Sequence, residues 1–241
     1  MQVSESSPGL VLRNCQPGQK LSDFKLIAFD MDSTLINIEC IDEIADAVGR
    51  KTEVAAITEA AMRGEITDFK DSLRRRVALL QGVTVADMER VHTERLRINP
   101  GAADLIAACK SVGMKVLLVS GGFTFFANRV KESLGIDFVR ANILEIETGP
   151  SCGTLTGRLV TQTWGDICDG AEKRRTLLEV ASLMGIESSQ CIAMGDGAND
   201  LPMMGAAGMS VAYHAKPKVR EQAMVSIESG GLDRLLEVLQ A

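Results

Sequence analysis

Two aspartates sit either side of Met31 where an apolar run ends: KLIAFD occupies 25–30, so Asp30 closes it and Asp32 follows. Carboxylates at that spacing suit a division of labour, one as covalent nucleophile and the other as proton donor. A calcium loop is the wrong reading, because Thr34, Leu35 and Ile41 stand where its ligand, glycine and glutamate belong. Taken alone, D-x-D-x-T suits a plain acidic turn equally. A second run, KVLLVS (115–120), ends in Ser120-Gly121-Gly122, with a helix expected over 122–135. A hydroxyl, a flexible backbone N–H and a helix N-terminus would together receive an anion, although an ordinary glycine turn reads the same way. A third run, QCIAMG (190–195), ends in Gly195-Asp196-Gly197-Ala198-Asn199-Asp200. Asp200 replaces the third glycine of a dinucleotide fingerprint and would repel a pyrophosphate. Two carboxylates there suit Mg²⁺, a hard cation that prefers oxygen. Lys173 opens the helical pattern 171–185. A lone lysine is usually a solvated surface residue, but aspartates facing an anionic substrate need a compensating cation.

These residues need a scaffold that brings strand ends together. The three runs, joined by GMSVAY (208–213) and the weaker MVSIES (224–229), alternate with helical patterns at 122–135, 171–185 and 231–240. That alternation predicts a parallel α/β sheet, whose ligands bind outside the carboxyl ends of its strands. Residues 39–98 hold only helical patterns, about four, inserted after the first core strand. Residues 141–160 read as a hairpin-like excursion. The organisation expected is an N-terminal extension over 1–22, polar and either a tail or packed on the core, a core over 23–38 and 99–241, and a helical cap over 39–98.

Composition narrows the function. The 241 residues are 46% hydrophobic and 24% charged, with a net charge of −6, which suits a folded domain with a core and excludes disorder. An acidic chain with one Trp and one Tyr is a poor nucleic-acid binder. No apolar run spans a bilayer, and MQVSESSPGLVLRNC does not read as a signal peptide. The six cysteines contain no C-x-x-C pair, so reduced cytoplasmic thiols are expected. His92 and His214 are the only histidines and lie far apart, which argues against a multi-histidine metal site.

In type and order, Asp30-x-Asp32-x-Thr34, Ser120, Lys173 and Gly195-Asp196-Gly197-x-x-Asp200 resemble the haloacid-dehalogenase-like phosphatases, from about residue 23 onward. FDMDSTLINIECIDEIA, SLRRRV, VSGGF and GDGANDLPM resemble the branch acting on phosphoserine. The resemblance implies a Rossmann-like parallel core with a helical-bundle cap, and Mg²⁺-dependent hydrolysis of O-phospho-L-serine through an aspartyl-phosphate, the last step of serine biosynthesis. It implies Asp30 as nucleophile and Asp32 as acid, then base. Mg²⁺ would be held by Asp30, the Asp32 carbonyl and Asp196, with Asp200 in support. Ser120, Gly121 and Lys173 would hold phosphoryl oxygens, Asn199 would complete the substrate contacts, Glu39 would take the ammonium and Arg76 the carboxylate. The partner implied is that small molecule, with no nucleic acid or membrane, for a cytoplasmic monomer or homodimer.

Helix geometry supports Arg76 independently. At 100° per residue, Phe69, Leu73, Val77 and Leu80 share one face; Arg76 lies about 55° from its centre, Arg74 about 105° and Arg75 nearly opposite. Nothing in the spacing separates Glu39 from Asp42, Glu43 or Asp46. Met62 and Phe69 suit either an apolar lid or, for Phe69 above all, cap core. Alternatives are a phosphatase or phosphotransferase for another small phosphorylated amine, and an aspartate-phosphorylated signalling domain, which would lack the second aspartate and the helical insertion.

Overall fold

The computed structural model describes residues 3–15, 18–63, 65–148 and 153–239, without the side chains of Val3 and Met62. The strands are β1 (Val3–Ser7), β2 (Leu10–Arg13), β3 (Leu26–Phe29), β4 (Lys115–Phe123), β5 (Phe138–Ile146), β6 (Leu155–Val160), β7 (Cys191–Gly195), β8 (Met209–Tyr213) and β9 (Val225–Ile227). Among the described residues they form one sheet in the order β1-β2-β9-β8-β7-β3-β4-β5-β6. Pairing is parallel from β9 through β5 and antiparallel at both margins, β1 with β2, β2 with β9 and β5 with β6.

The central strands are apolar on both faces because both faces are covered. β3 shows the period of two. Ile27 and Phe29 join one core layer with Val116, Leu118, Ile192 and Met194. Leu26 and Ala28 join the other with Leu117, Val119, Cys191 and Ala193. Four helices follow β3: α1 (Cys40–Ala47), α2 (Lys51–Met62), α3 (Phe69–Ala78) and α4 (Val85–Arg90). Five more follow among the described residues, α5 (Ala102–Ser111), α6 (Thr124–Leu134), α7 (Gly170–Leu183), α8 (Leu201–Met204) and α9 (Pro217–Gln222). α5 and α6 pack on the layer containing Ile27, and α7 on the layer containing Leu26.

Of three expectations, the first resolves to one of its two alternatives, the second changes and the third holds. Residues 3–13 are part of the sheet, not a tail, since Leu10, Val11 and Leu12 pair with Ile227, Ser226 and Val225; residues 1, 2, 16 and 17 lie outside the description. The helix expected from 122 begins at Thr124, because β4 continues through both glycines to Phe123. Asn142 of β5 explains this: its Nδ2 donates to the Gly121 carbonyl at 2.7 Å and its Oδ1 accepts from Cys168 N at 2.8 Å, holding the segment extended. The excursion expected at 141–160 is the antiparallel β5–β6 pair, and residues 149–152 lie outside the description. Its β6 end ties into the helical segment: Gly82 N donates to Leu155 O, Leu155 N to Val83 O and Val85 N to Gly153 O at 2.7–2.9 Å.

Candidate active site

Register assembles the site. Phe29 pairs with Leu118 of β4 and with Met194 of β7, so Asp30, Ser120 and Asp196 emerge together at the carboxyl edge of the sheet. Asp30 N donates to Met194 O at 3.0 Å, which anchors the residue as its strand ends. The residue is 6% exposed. Beneath it lies Lys173, fully buried on the first turn of α7, with Nζ 2.7 Å from both Asp30 Oδ1 and Asp200 Oδ1. The sequence-level default of a solvated lysine is therefore wrong at this position. Burial opposes the Lys173 charge, but Asp200 and Asp30 outweigh it and raise its pKa above the ordinary lysine range. Burial, then Asp200, pushes Asp30 well above the usual carboxylate range, with Lys173 opposing.

After Asp30 the chain makes a tight turn over residues 31–35, closed by Ile36 N donating to Met31 O at 3.1 Å. Ser33 adopts a left-handed φ of 56°, a costly conformation away from glycine. The turn aims Asp32 back at the sheet edge and leaves its buried Oδ1 without a hydrogen-bond partner. Burial, then the Glu39 charge, raises Asp32 to about 7. Gly122 leaves the room this needs, since a Cβ there would stand 2.7 Å from Asp32 Oδ2. Ser120 Oγ accepts the Gly122 N–H at 2.8 Å, which frees its own hydrogen to donate outward.

A cleft of about 420 Å³ lies between this edge and the helical segment. Asp30, Asp32, Glu39, Arg76, Ser120, Gly121, Asp196 and Asn199 all line it; Lys173 and Asp200 lie behind its floor. Phe69 and Leu73 line it as well, and the side chain of Met62 is outside the description. The helix-face argument separates the arginines correctly. Arg75 pairs with Asp71 and Arg74 with Asp166 at the surface, whereas Arg76 turns into the cleft, where burial lowers its pKa. Sequence reasoning missed Lys216, whose N–H donates to Asp196 O at 3.2 Å, and Asn142, because both act through contacts distant in sequence. It left Asp42 undistinguished. The structure separates that group: Glu43 and Asp46 bond Arg95, while Glu39 and Asp42 line the cleft.

Asp30, Asp196 and Asp200 place carboxylate oxygens within 4.8 Å of one another. Burial, then Asp200 and Glu39, raises Asp196 to about 6, so a cation would relieve both repulsion and desolvation. All-oxygen donors fit a small hard cation. Asp200 already commits Oδ1 to Lys173 and Oδ2 to the Gly197 N–H at 3.0 Å, which suits support better than ligation. Thr34 Oγ1 donates to Asp196 Oδ1 at 3.2 Å and orients it.

The haloacid dehalogenase-like hydrolase family model matches residues 27–205. The chain is 69% identical over 240 residues to a phosphoserine phosphatase from Polaromonas sp. and 68% identical to one from Albidiferax ferrireducens, covering 100% of both chains each time. A solved phospho-aspartyl intermediate analogue of phosphoserine phosphatase superposes with a TM-score of 0.80 at 39% identity, over 90% of this chain and 99% of that one.

Proposed function

This chain belongs to the haloacid dehalogenase-like hydrolase family, and from that premise we propose that it hydrolyses O-phospho-L-serine to L-serine and phosphate with Mg²⁺. The observation that carries the reading is the pairing, within one cleft, of a lysine-held Asp30 with an inward-facing Arg76. The first suits phosphoryl transfer, and the second suits an amino-acid head group.

Asp30 attacks phosphorus in line, the serine Oγ leaves with the proton of Asp32, and an aspartyl-phosphate forms. Asp32 then removes a proton from water, which attacks that phosphorus and returns Asp30. An Asp32 held near 7 by burial and Glu39 is suited to both transfers. The outward hydroxyl hydrogen of Ser120 and the Gly121 N–H receive phosphoryl oxygens. Lys173, with two of its three hydrogens committed to carboxylates, keeps one for the same purpose. Asp30, the Asp32 carbonyl and Asp196, with Asp200 in support, would hold Mg²⁺, which would supply charge neutralisation at the phosphoryl group. Asn199 completes the substrate contacts, and Glu39 and Arg76 take the ammonium and carboxylate. Residues 39–98 act as the cap, with Phe69 and Leu73 supplying its apolar lining. Unpaired thiols at Cys15, Cys40, Cys109, Cys168 and Cys191 support a reducing, cytoplasmic setting.

Phosphate release from a panel of phosphomonoesters, with Mg²⁺ and with excess chelator, tests the reading. Preference for O-phosphoserine and silence in chelator are expected. Full turnover in chelator, or no preference among the esters, would overturn it.

A further inference from the structure

Three residues that line the same cleft each carry a buried polar atom that lacks a hydrogen-bond partner: Asp32 (Oδ1), Arg76 (Nε) and Asp42 (Oδ1). A buried polar group left unpaired is costly, and three such residues around one cavity bear on what should fill it. Asp32 faces the bond to be broken, and Arg76 calls for an anionic acceptor. Asp42 calls for a donor, and it does so beside Arg76, whose charge acts on it while burial raises its pKa. Its backbone N–H donates to Glu39 O at 3.1 Å, so Glu39, the residue that caps α1, and Asp42, on its first turn, lie close together. They are not equivalent. Glu39 is exposed at the rim and its Oε1 already accepts the Ser33 hydroxyl at 2.7 Å, whereas Asp42 offers an uncommitted oxygen deeper in.

We propose that Asp42 is a specificity-determining residue, accepting an N–H of the substrate ammonium alongside Glu39 and repelling esters that bring a carboxylate without an amine. The inference rests on the phosphoserine reading. An amino-acid head group presents both charges, so its ammonium offsets Asp42 while its carboxylate reaches Arg76. An amine-less acid brings its carboxylate to the same place and meets the Asp42 charge uncompensated. Asp42 thereby adds a penalty against the wrong substrate to an attraction for the right one.

The test compares Asp42→Asn with the unaltered enzyme on two esters with Mg²⁺: O-phosphoserine, and 3-phosphooxypropanoate, which keeps the carboxylate and lacks the amine. For phosphoserine, kcat/KM should fall about 10- to 100-fold. For the amine-less ester it should rise, because the repulsion is gone. Each ratio is taken within one protein preparation, so partial misfolding scales both rates alike and cancels. Equal losses on both esters would make Asp42 structural and overturn the proposal. Unchanged rates on both esters would leave the ammonium to Glu39 alone, and would overturn it equally. If the unaltered enzyme fails to turn over phosphoserine, the underlying reading falls first, and the two failures are distinguishable.

Discussion

At the scale of single residues, the site depends on buried charges holding one another in place. Lys173 is fully buried between Asp30 and Asp200, and its removal leaves two carboxylates facing each other without water. Lys173→Met should therefore lower stability by about 3–5 kcal/mol, measured by urea unfolding, and silence turnover. Undiminished stability would mean that the pair is solvated in the working enzyme. Asp32 carries the next prediction. Its pKa stands near 7 because of burial first and Glu39 second. On the proposed mechanism the leaving serine needs protonated Asp32, so kcat/KM should decline as pH rises through that region. Glu39→Gln removes a like charge, lowers the Asp32 pKa and should move the declining limb to lower pH. A limb that stays in place, or moves upward, would dissociate Glu39 from Asp32.

Helix α3 shows how an element sorts three consecutive arginines. Arg75 pairs with Asp71 one turn away at 2.8 Å, exposed to solvent, the kind of pair that contributes little. Arg76 faces the cleft. Arg76→Ala should cost about 2–5 kcal/mol of transition-state binding with phosphoserine, yet little with phosphoethanolamine, which has no carboxylate. Arg75→Ala should scarcely affect either substrate. Equal losses from Arg76→Ala on both esters would place it on the phosphate or in the cap. This sorting was legible in the sequence because 3.6-residue periodicity is local, and the strand ends were legible because buried runs stop where polar residues begin. The β1–β2 pair was not, since a margin strand is short, half-exposed and compositionally like a loop. The extension of β4 through Gly121 and Gly122 was hidden too, because glycine carries little conformational signal and the residue imposing the extended path, Asn142, arrives from another strand. Lys216 and the distinct place of Asp42 became visible only once the chain closed on itself.

For the whole molecule, the site belongs to two structural layers that must cooperate. The sheet edge holds Asp30, Asp32 and Asp196, and the helical segment brings Arg76, Glu39 and Asp42 to the same cleft. The β6 end of the β5–β6 pair is bonded to the segment between α3 and α4. Mutual repulsion among Asp30, Asp196 and Asp200 burdens the whole fold while no cation is bound. Mg²⁺ should therefore raise Tm in a concentration-dependent way, and Asp196→Asn should blunt the rise; a Tm indifferent to Mg²⁺ would argue against the site. The most direct test of the account is chemical. Enzyme mixed with phosphate-labelled O-phosphoserine and Mg²⁺, then quenched in acid during turnover, should carry label on the peptide containing Asp30. That label should be released by hydroxylamine, as an acyl phosphate is, and Asp30→Asn should show neither label nor phosphate release. Label on any other residue, or phosphate release that survives Asp30→Asn, would contradict it.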